Sequence, residues 1–463
     1  MIKQDNISFW VKSLEETQSS LLTLNTEPSL SENYTTNITI IGGGLSGLWL
    51  AYYLKQAAPS LTITIFEQKQ VGYAASGRNG GWLSSEVPIE KANLLKKEGM
   101  TEAEIDALYT AMKEAVTEVK NICVQEHIEC DLIQGGILTI ATNSAQSARL
   151  SQFSQDTTSY MISESDAKKR INIPSIVAAH YNEIGARIHP LKLLLSLKKI
   201  LLDRGVKMYE NHTVCSIKKN SLTVSSNNKV NIATSDHIIT CTEASSSMFL
   251  NSTRVIPVNS SIIVTEVISS ERWEKIGWAG RELLADDAHL FFYAQRTFDD
   301  RILIGGRGSP YQFGAKDSGD GHLDKNVAKQ LLKRLHELFP FEKFSIEYAW
   351  KGSIGITRDW CATVSYNPTE QIGHIYGFVG SGVTTTNLAA RTMVDKILGK
   401  HTHLTSLPWN DHLSPKWEPD PLRWCAIHGM YTLLKYADYR EQMSNLKNTS
   451  IIASLSYRIT GKT

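Results

Sequence analysis

Ile38-Thr39-Ile40-Ile41-Gly42-Gly43-Gly44-Leu45-Ser46-Gly47 is the most informative run of residues in this chain. An apolar strand runs into a glycine-rich turn, and the apolar residues that follow predict a helix. In such a turn Gly42 permits the tight change of direction, Gly44 lets the backbone approach a pyrophosphate, and Gly47 lets the helix pack closely on the strand. The helix N-terminus also offers free N–H groups and a positive dipole end to phosphates. The stretch therefore predicts the start of a dinucleotide-binding β-α-β unit.

A second predicted strand, residues 61–66, ends at Glu67, twenty residues after Gly47. A carboxylate at this point accepts hydrogen bonds from the ribose hydroxyls of a dinucleotide. Its negative charge would repel a 2′-phosphate, so NADP is disfavoured. A glycine-rich turn alone is weak evidence, but here it is accompanied by its strand, its helix and its carboxylate.

The next loop, Ala74 to Gly81, is small, glycine-rich and carries one charge, and a plain NAD domain has no need of it. Taken together, the turn, Glu67 and the sequence Ala75-Ser76-Gly77-Arg78-Asn79-Gly80-Gly81 resemble the FAD-binding region of the D-amino-acid oxidase superfamily. Within that superfamily they are most similar to the γ-glutamylputrescine oxidase-like amine oxidases. The resemblance extends from Ser8-Phe9-Trp10 to the tail at 409–424, and it implies FAD as the cofactor.

A third segment repeats the arrangement of strand, glycine turn and helix far along the chain. The predicted strand 374–379 leads into Gly380-Ser381-Gly382-Val383-Thr384 and a helix that continues to Leu398. A helix N-terminus at this place would stabilise negative charge on a reduced flavin. In the resembled family the backbone of a residue like Val214 also faces the adenine. The predicted cofactor-binding residues are Gly42, Gly44, Leu45, Ser46, Gly47, Glu67, Gln68, Ser76, Arg78, Asn79, Gly80, Gly81, Val214, Gly380, Ser381, Gly382, Val383 and Thr384.

The length of 463 residues suits two domains, and no linker cleanly divides the chain. We therefore predict an α/β fold in which a Rossmann-like FAD-binding domain is interwoven with an antiparallel-sheet substrate domain, of the glutathione-reductase and D-amino-acid-oxidase type. The predicted parts are an N-terminal extension (1–35), the FAD-binding domain (36–90, 185–250 and 355–400), the substrate domain (91–184 and 251–354) and a C-terminal wrapping tail with a helix (401–463).

Composition excludes several classes of partner. With 48 basic and 47 acidic side chains, the chain lacks the basic excess that nucleic acid or an anionic membrane surface demands. No apolar run approaches the roughly 20 residues of a membrane-spanning helix, and no signal peptide is evident. The six cysteines are scattered without a C-x-x-C pair, so we expect neither a metal site nor a disulfide framework. Reduced thiols are typical of the cytoplasm, which is therefore the expected location.

The region 290–306 reads as an aromatic antiparallel sheet, in which alternation places Tyr293 and Phe292 on opposite faces. In the resembled family such a sheet covers the reactive side of the flavin. A dry aromatic cavity lowers the pKa of an amine and so favours its neutral, oxidisable form. Aromatic candidates for that cavity are Trp82, Phe291, Phe292, Tyr293 and Trp350, and each is also a plausible core residue. We predict Trp82 and Tyr293 as catalytic residues.

Substrate class depends on a departure from the family pattern. D-amino-acid and glycine oxidases carry a carboxylate-clamping arginine in a G-x-R-P stretch before the third FAD segment, whereas residues 351–359 here place an apolar residue at that position. Arg358 follows shortly afterwards and is the third predicted catalytic residue, although an ion pair with Asp359 is an equal alternative. We therefore favour an amine that lacks an α-carboxylate.

The resemblance implies hydride transfer from the substrate to flavin N5, giving an imine that hydrolyses to an aldehyde or ketone plus an amine or ammonia. Sarcosine-oxidase relatives bind FAD through a cysteine, but Cys361 is shifted, so non-covalent FAD is expected. They also use an oxygen-activating lysine where this chain has Leu303, which leaves O2 or another electron acceptor open. The alternatives are a D-amino-acid or glycine-type amino-acid oxidase or dehydrogenase, and a non-catalytic FAD-binding accessory subunit. The sequence does not predict the oligomeric state.

Overall fold

The computed structural model describes residues 8–27, 29–30, 34–89, 91–95, 100–153, 155–227, 229–306, 311–316, 319–444 and 446–460. The helices are α1 Phe9–Thr17, α2 Leu45–Ala57, α3 Lys91–Leu95, α4 Glu102–Gln125, α5 Ser144–Leu150, α6 Glu164–Arg170, α7 Pro190–Asp203, α8 Ser270–Ile276, α9 Lys325–Leu338, α10 Gly382–Ile397, α11 Leu422–Met443 and α12 Ile451–Thr460. The strands are β1 Tyr34–Ile41, β2 Ile63–Phe66, β3 Trp82–Ser84, β4 Ile137–Ala141, β5 Ser159–Ile162, β6 Ala178–Asn182, β7 Gly185–Arg187, β8 Lys207–Tyr209, β9 Thr213–Lys218, β10 Ser221–Ser226, β11 Lys229–Thr240, β12 Val255–Thr265, β13 Leu283–Asp286, β14 Phe292–Arg296, β15 Ile302–Gly306, β16 Ile346–Thr357, β17 Thr363–Asn367 and β18 Ile372–Tyr376.

The first sheet has the strand order β17-β18-β11-β1-β2-β8, with β9 and β10 attached through β11. Its centre is parallel, because β1 pairs in parallel with both β2 and β11, and β2 does so with β8. Parallel neighbours need a crossover connection, which α2 provides between β1 and β2. Ten residues of α2 are buried, since this helix lies between the sheet and the helices α7 and α10. The predicted Rossmann-like unit is confirmed.

The second sheet has the order β16-β12-β15-β14-β13-β4-β6-β5 and is antiparallel except for the pair of β4 and β13. Its strand β14 shows the predicted alternation. Phe292 packs into the apolar core of this sheet, and the neighbouring Tyr293 packs against the core of the first sheet. The second sheet therefore turns the Tyr293 face of β14 towards the first domain.

Helix α4 begins with a capping box, in which the Thr101 hydroxyl accepts from the Glu104 N–H and the Glu104 carboxylate accepts from the Thr101 N–H. The helix packs against α10, and the hydroxyl of Tyr53 on α2 donates to Glu118 on α4 at 3.1 Å. The segment 91–184, predicted as part of the substrate domain, thus contributes to both halves of the structure. Helix α4 lies with the helices of the first sheet, whereas β4, β5 and β6 join the second sheet. The exact domain boundaries stay a prediction.

The C-terminal tail contacts both sheets. Trp409 is fully buried in the core beside the first sheet. Farther along, the amide N–H groups of His289 and Leu290 donate to Asp438 on α11 at 2.8 and 3.0 Å, which fixes α11 beside the start of β14. Within the described part of the chain, no helix is long and apolar enough to cross a membrane.

Candidate active site

In the first glycine turn, backbone segments pack so closely that a side chain would not fit. Gly42 has a φ of +113°, which favours glycine, and a Cβ there would lie 2.4 Å from the carbonyl oxygen of Cys241. A Cβ on Gly47 would lie 2.1 Å from the carbonyl oxygen of Gly42. The turn can therefore keep this shape only with glycine at both positions.

Two side chains predicted to bind the cofactor meet the N-terminus of α2. The N–H of Gly43 donates to Glu67 Oε2 at 2.8 Å, and the N–H of Leu45 donates to Ser76 Oγ at 3.0 Å. Burial raises the pKa of the Glu67 carboxyl group. A Cβ on Gly44 would approach Ser76 Oγ to 2.8 Å, so glycine lets the Ser76 side chain come this close to the helix end. Ser46 is buried in the first turn of the helix.

The loop Ala75–Gly81 is held together by Asn79. Its Nδ2 donates to the Ser76 carbonyl at 2.7 Å, and its Oδ1 accepts from the Gly81 N–H at 2.8 Å. The carbonyl oxygen of Gly80 accepts from Gln295 Nε2 on the second sheet. The loop thus joins the two sheets at the place where the sequence predicts cofactor contacts.

Residues far away in the sequence anchor the same loop, and sequence reasoning missed this role for them. In α1, Trp10 Nε1 donates to the Asn79 carbonyl at 2.8 Å. Just before α1, the Ser8 hydroxyl donates to the Gly77 carbonyl at 2.8 Å. From β16, the fully buried Trp350 donates Nε1 to the Arg78 carbonyl at 2.9 Å. Trp350, a predicted cavity candidate, therefore supports the loop from behind.

The Arg78 side chain is buried and donates from Nη1 to the Gly319 carbonyl at 3.0 Å. Gln68 is exposed beyond the end of β2. Val214 is buried on β9, two residues after His212, whose N–H donates to the Glu67 carbonyl at 2.9 Å. The structure therefore brings Val214 close to the predicted ribose-binding residue Glu67.

The third glycine segment ends at the N-terminus of α10. Gly380 has a φ of +109°, and Ser381 occupies the N-cap position without a side-chain capping bond. Gly382, Val383 and Thr384 form the first turn. The Thr384 hydroxyl is buried and has no hydrogen-bond partner in the structure. At this second helix N-terminus, the Thr384 hydroxyl is thus a polar group that the described residues leave unsatisfied.

Glu243 organises this segment, and sequence reasoning did not identify it. Its carboxylate accepts from the N–H groups of Gly377 at 2.9 Å, Phe378 at 3.1 Å and Gly355 at 3.2 Å. Burial raises its pKa to about 7, against the lowering effect of these three bonds. Its backbone has a φ of +41°, an uncommon value for a residue other than glycine. That outlier and its buried carboxylate fix the approach to the Gly380 turn.

The predicted catalytic aromatic residues Trp82 and Tyr293 lie side by side, with their ring centroids 6.1 Å apart and the rings nearly perpendicular. Tyr293 packs between two glycines, because a Cβ on Gly80 or on Gly305 would lie 2.6 or 2.2 Å from its ring. Its hydroxyl is 2.9 Å from the Ser260 hydroxyl, and burial raises its pKa to about 12. The indole Nε1 of Trp82 is buried without a partner in the structure.

Arg358 lies apart from this pair. Its Nε donates to both carboxylate oxygens of Glu418 at 3.1 Å, and its guanidinium stands 5.5 Å from the centre of the Trp417 ring. The sequence left an ion pair between Arg358 and Asp359 as an equal alternative. In the structure Arg358 pairs instead with Glu418 of the tail, and Asp359 binds His412 at 2.6 Å. Cys361 is fully buried and its thiol donates to the Asp359 carbonyl at 3.3 Å.

These residues fit a flavin dinucleotide. The positive dipole ends of α2 and α10 would suit a pyrophosphate and the negative charge of a reduced flavin ring, respectively. Glu67 would offer a carboxylate to the ribose, and the missing side chain of Gly44 would let the backbone approach the pyrophosphate. The unpartnered polar atoms of Trp82 and Thr384 are groups that a polar ring edge would satisfy.

One family model and several known proteins match this chain. The family model described as "DAO: FAD dependent oxidoreductase" matches residues 37–396. The chain is 26% identical over 381 residues to gamma-glutamylputrescine oxidoreductase of Escherichia coli (strain K12), covering 80% of this chain and 85% of that protein. Among solved structures it resembles glycine oxidase from Geobacillus kaustophilus, with a TM-score of 0.65, 15% identity and coverage of 82% and 100% of the two chains. It also resembles L-proline dehydrogenase from P. horikoshii, with a TM-score of 0.66, 17% identity and coverage of 81% and 98%.

Proposed function

This chain belongs to the DAO family of FAD-dependent oxidoreductases, and from that premise we propose that it oxidises the C–N bond of an amine that lacks an α-carboxylate. The substrate carbon gives up a hydride and its nitrogen gives up a proton, so that an imine forms. Water then adds to the imine, and an aldehyde or ketone leaves together with ammonia or a smaller amine. FAD supplies the hydride acceptor in this reaction.

The observation that carries the proposal is the pairing of Arg358 with Glu418. A guanidinium that already binds a carboxylate through Nε is a poor clamp for a substrate carboxylate, because the bound acceptor would have to be displaced. The 26% identity to gamma-glutamylputrescine oxidoreductase also supports an amine substrate.

Trp82 and Tyr293 take the role of walls in this proposal. Their rings exclude water from the space next to the reacting C–N bond, and a dry environment penalises the ammonium form of the substrate. Because burial raises the pKa of Tyr293 to about 12, its hydroxyl is protonated at neutral pH and orients groups without accepting a proton. Proton removal from the amine therefore does not depend on Tyr293.

We propose O2 as the electron acceptor and a cytoplasmic location. An amino-acid oxidase is the second candidate function, since Arg358 is more than a quarter exposed and would serve as the clamp if it left Glu418. A carboxylate substrate would then compete with Glu418 for the same guanidinium.

The test is an anaerobic titration of the purified protein. Putrescine-like diamines and monoamines are added separately from D-amino acids and glycine while the visible flavin absorbance is followed. Bleaching by amines alone supports the proposal, and readmission of air with peroxide formation supports O2 as the acceptor. Bleaching by amino acids alone would replace the proposal with the second candidate, and Arg358→Met should then abolish it.

A further inference from the structure

Arg187, at the end of β7, is a buried cation to which none of the described residues offers a hydrogen-bond acceptor. Its side chain is only 2% exposed, and neither Nε nor Nη2 has a hydrogen-bond partner in the structure. Burying an unpaired charge is costly, and a protein normally pairs it or hydrogen-bonds it. Such an arrangement favours an acceptor beyond the described residues.

His189, two residues later, presents another unsatisfied donor. Its Nδ1 accepts the N–H of Lys192 at 3.1 Å, so a neutral ring carries its proton on Nε2. Burial lowers the pKa of His189 to about 3, which keeps the ring neutral. The Nε2 atom is also buried without a partner. Arg187 and His189 together therefore supply three donor nitrogen atoms, Nε, Nη2 and the imidazole Nε2, and no acceptor.

Both residues line one cavity of about 50 Å³ that lies under helix α1. The Trp10 ring forms part of its wall, and its centroid lies 4.7 Å from that of the His189 ring, with the two rings tilted by 59°. Glu16 and Thr17 on α1 and Phe298 on the loop after β14 are exposed at its edge. The cavity is thus of the size of a small anion and reaches the surface.

The acidic residues around the cavity already have partners. Asp131 binds Lys192 at 2.9 Å, and Asp299 binds Arg301 at 2.6 Å. Asp300, which lies near Arg187, binds Arg281 and Arg296, each at 2.7 Å. Glu16 is the remaining acidic residue of the lining, and it lies exposed at the edge. The positive charge of Arg187 is therefore the one that lacks a direct partner among the described groups lining the cavity.

The geometry of the donors selects the ligand. The Nε–H and Nη2–H bonds of a guanidinium are parallel and match the two oxygens of a carboxylate. We propose that the cavity formed by Arg187, His189 and Trp10 binds a carboxylate, either as a small free anion or as the end of a longer molecule that enters past Phe298. Arg187 holds both oxygens, and His189 Nε2 donates to one of them.

Titration of the full-length, flavin-containing protein with sodium formate, acetate or glutamate tests this site, with sodium chloride at equal ionic strength as the reference. The readouts are the thermal unfolding midpoint and tryptophan fluorescence, because Trp10 forms a wall. We expect a saturable rise of the midpoint with a carboxylate and none with chloride. A response confined to formate and acetate identifies a small free anion, and tighter binding of glutamate identifies the end of a longer molecule.

Two variants separate recognition from simple charge. Arg187→Lys keeps the charge without the parallel donors, and Arg187→Met removes both, so each should weaken carboxylate binding at least tenfold. Arg281→Gln, which removes a nearby paired arginine, is the matched control and should leave the affinity within about twofold. Equal responses to chloride and acetate, an unchanged affinity in Arg187→Lys, or no response of the wild type would each overturn the proposal. Retained flavin absorbance in the Arg187 variants shows that they are folded.

Discussion

Replacing Gly47 with alanine tests how α2 is seated on β1. A Cβ at this position would lie 2.1 Å from the Gly42 carbonyl oxygen, so the two backbones must separate by at least about 0.9 Å to reach a contact of 3.0 Å. Overpacking of a rigid site costs roughly 1–3 kcal/mol. Both atoms here belong to the backbone, which places the cost near the upper end of that range.

Alanine also favours a helix over glycine by about 1 kcal/mol, which offsets part of this cost. We therefore expect Gly47→Ala to lower the free energy of unfolding by about 2 kcal/mol. It should also weaken FAD binding, because the Gly42 turn and the end of α2 move together.

The matched control is Gly429→Ala in the exposed middle of α11. No atom lies within 4 Å of the Cβ that this change adds. It should raise stability by up to about 1 kcal/mol and leave flavin binding unchanged. Urea unfolding followed by circular dichroism measures stability, and the ratio of visible to ultraviolet absorbance after gel filtration measures retained flavin. A Gly47→Ala protein as stable and as yellow as the wild type would refute the packing argument.

Three further predictions concern Glu243, Tyr293 and Cys361. Burial raises the folded-state pKa of Glu243 from 4.5 to about 7, so the folded state binds more protons than the unfolded state between these pH values. The stability of the wild type relative to Glu243→Gln should therefore fall by up to about 3 kcal/mol as pH rises through this window. Urea unfolding from pH 4.5 to 8 checks this, and a difference in stability that does not change with pH contradicts it. Tyr293→Phe removes the hydrogen bond to Ser260 and should lower the free energy of unfolding by about 1 kcal/mol, but it should keep most of the amine turnover. Tyr293→Ala removes the ring as well and should lose most of the turnover. Equal losses of kcat/KM in the two variants would argue against a role for the ring. Because the Cys361 thiol is fully buried, heat or acid denaturation should release all flavin into an ultrafiltrate, and yellow denatured protein would show a covalent link.

Local pattern was sufficient for the parts of the fold that repeat a known physical arrangement. The strand, glycine turn and helix from 38 to 57 follow from the spacing of apolar residues and glycines. The position of the Glu67 carboxylate beside the glycine turn follows from its place at the end of β2. The opposite faces of Phe292 and Tyr293 follow from the two-residue period of a strand. In each case the informative residues are neighbours in the sequence.

The residues that hold the site in place could not be predicted from the sequence, because they come from segments far apart in the chain. Trp350 and Arg78 are 272 residues apart, and Glu243 binds amides more than 110 residues further on. The partner of Arg358, Glu418, lies 60 residues away, so the neighbouring Asp359 looked equally suitable. Pairings of this kind are set by the packing of the two sheets and the tail, which no local pattern records.

We propose above that this chain oxidises a C–N bond on bound FAD. An anaerobic single-turnover experiment tests it most directly, with the amount of flavin reduced compared with the amounts of carbonyl product and released amine or ammonia after acid quench. We expect one carbonyl compound and one amine or ammonia molecule for each flavin that an amine substrate reduces. Flavin reduction without a carbonyl product, or an unreduced flavin with every amine and amino acid supplied, would contradict it.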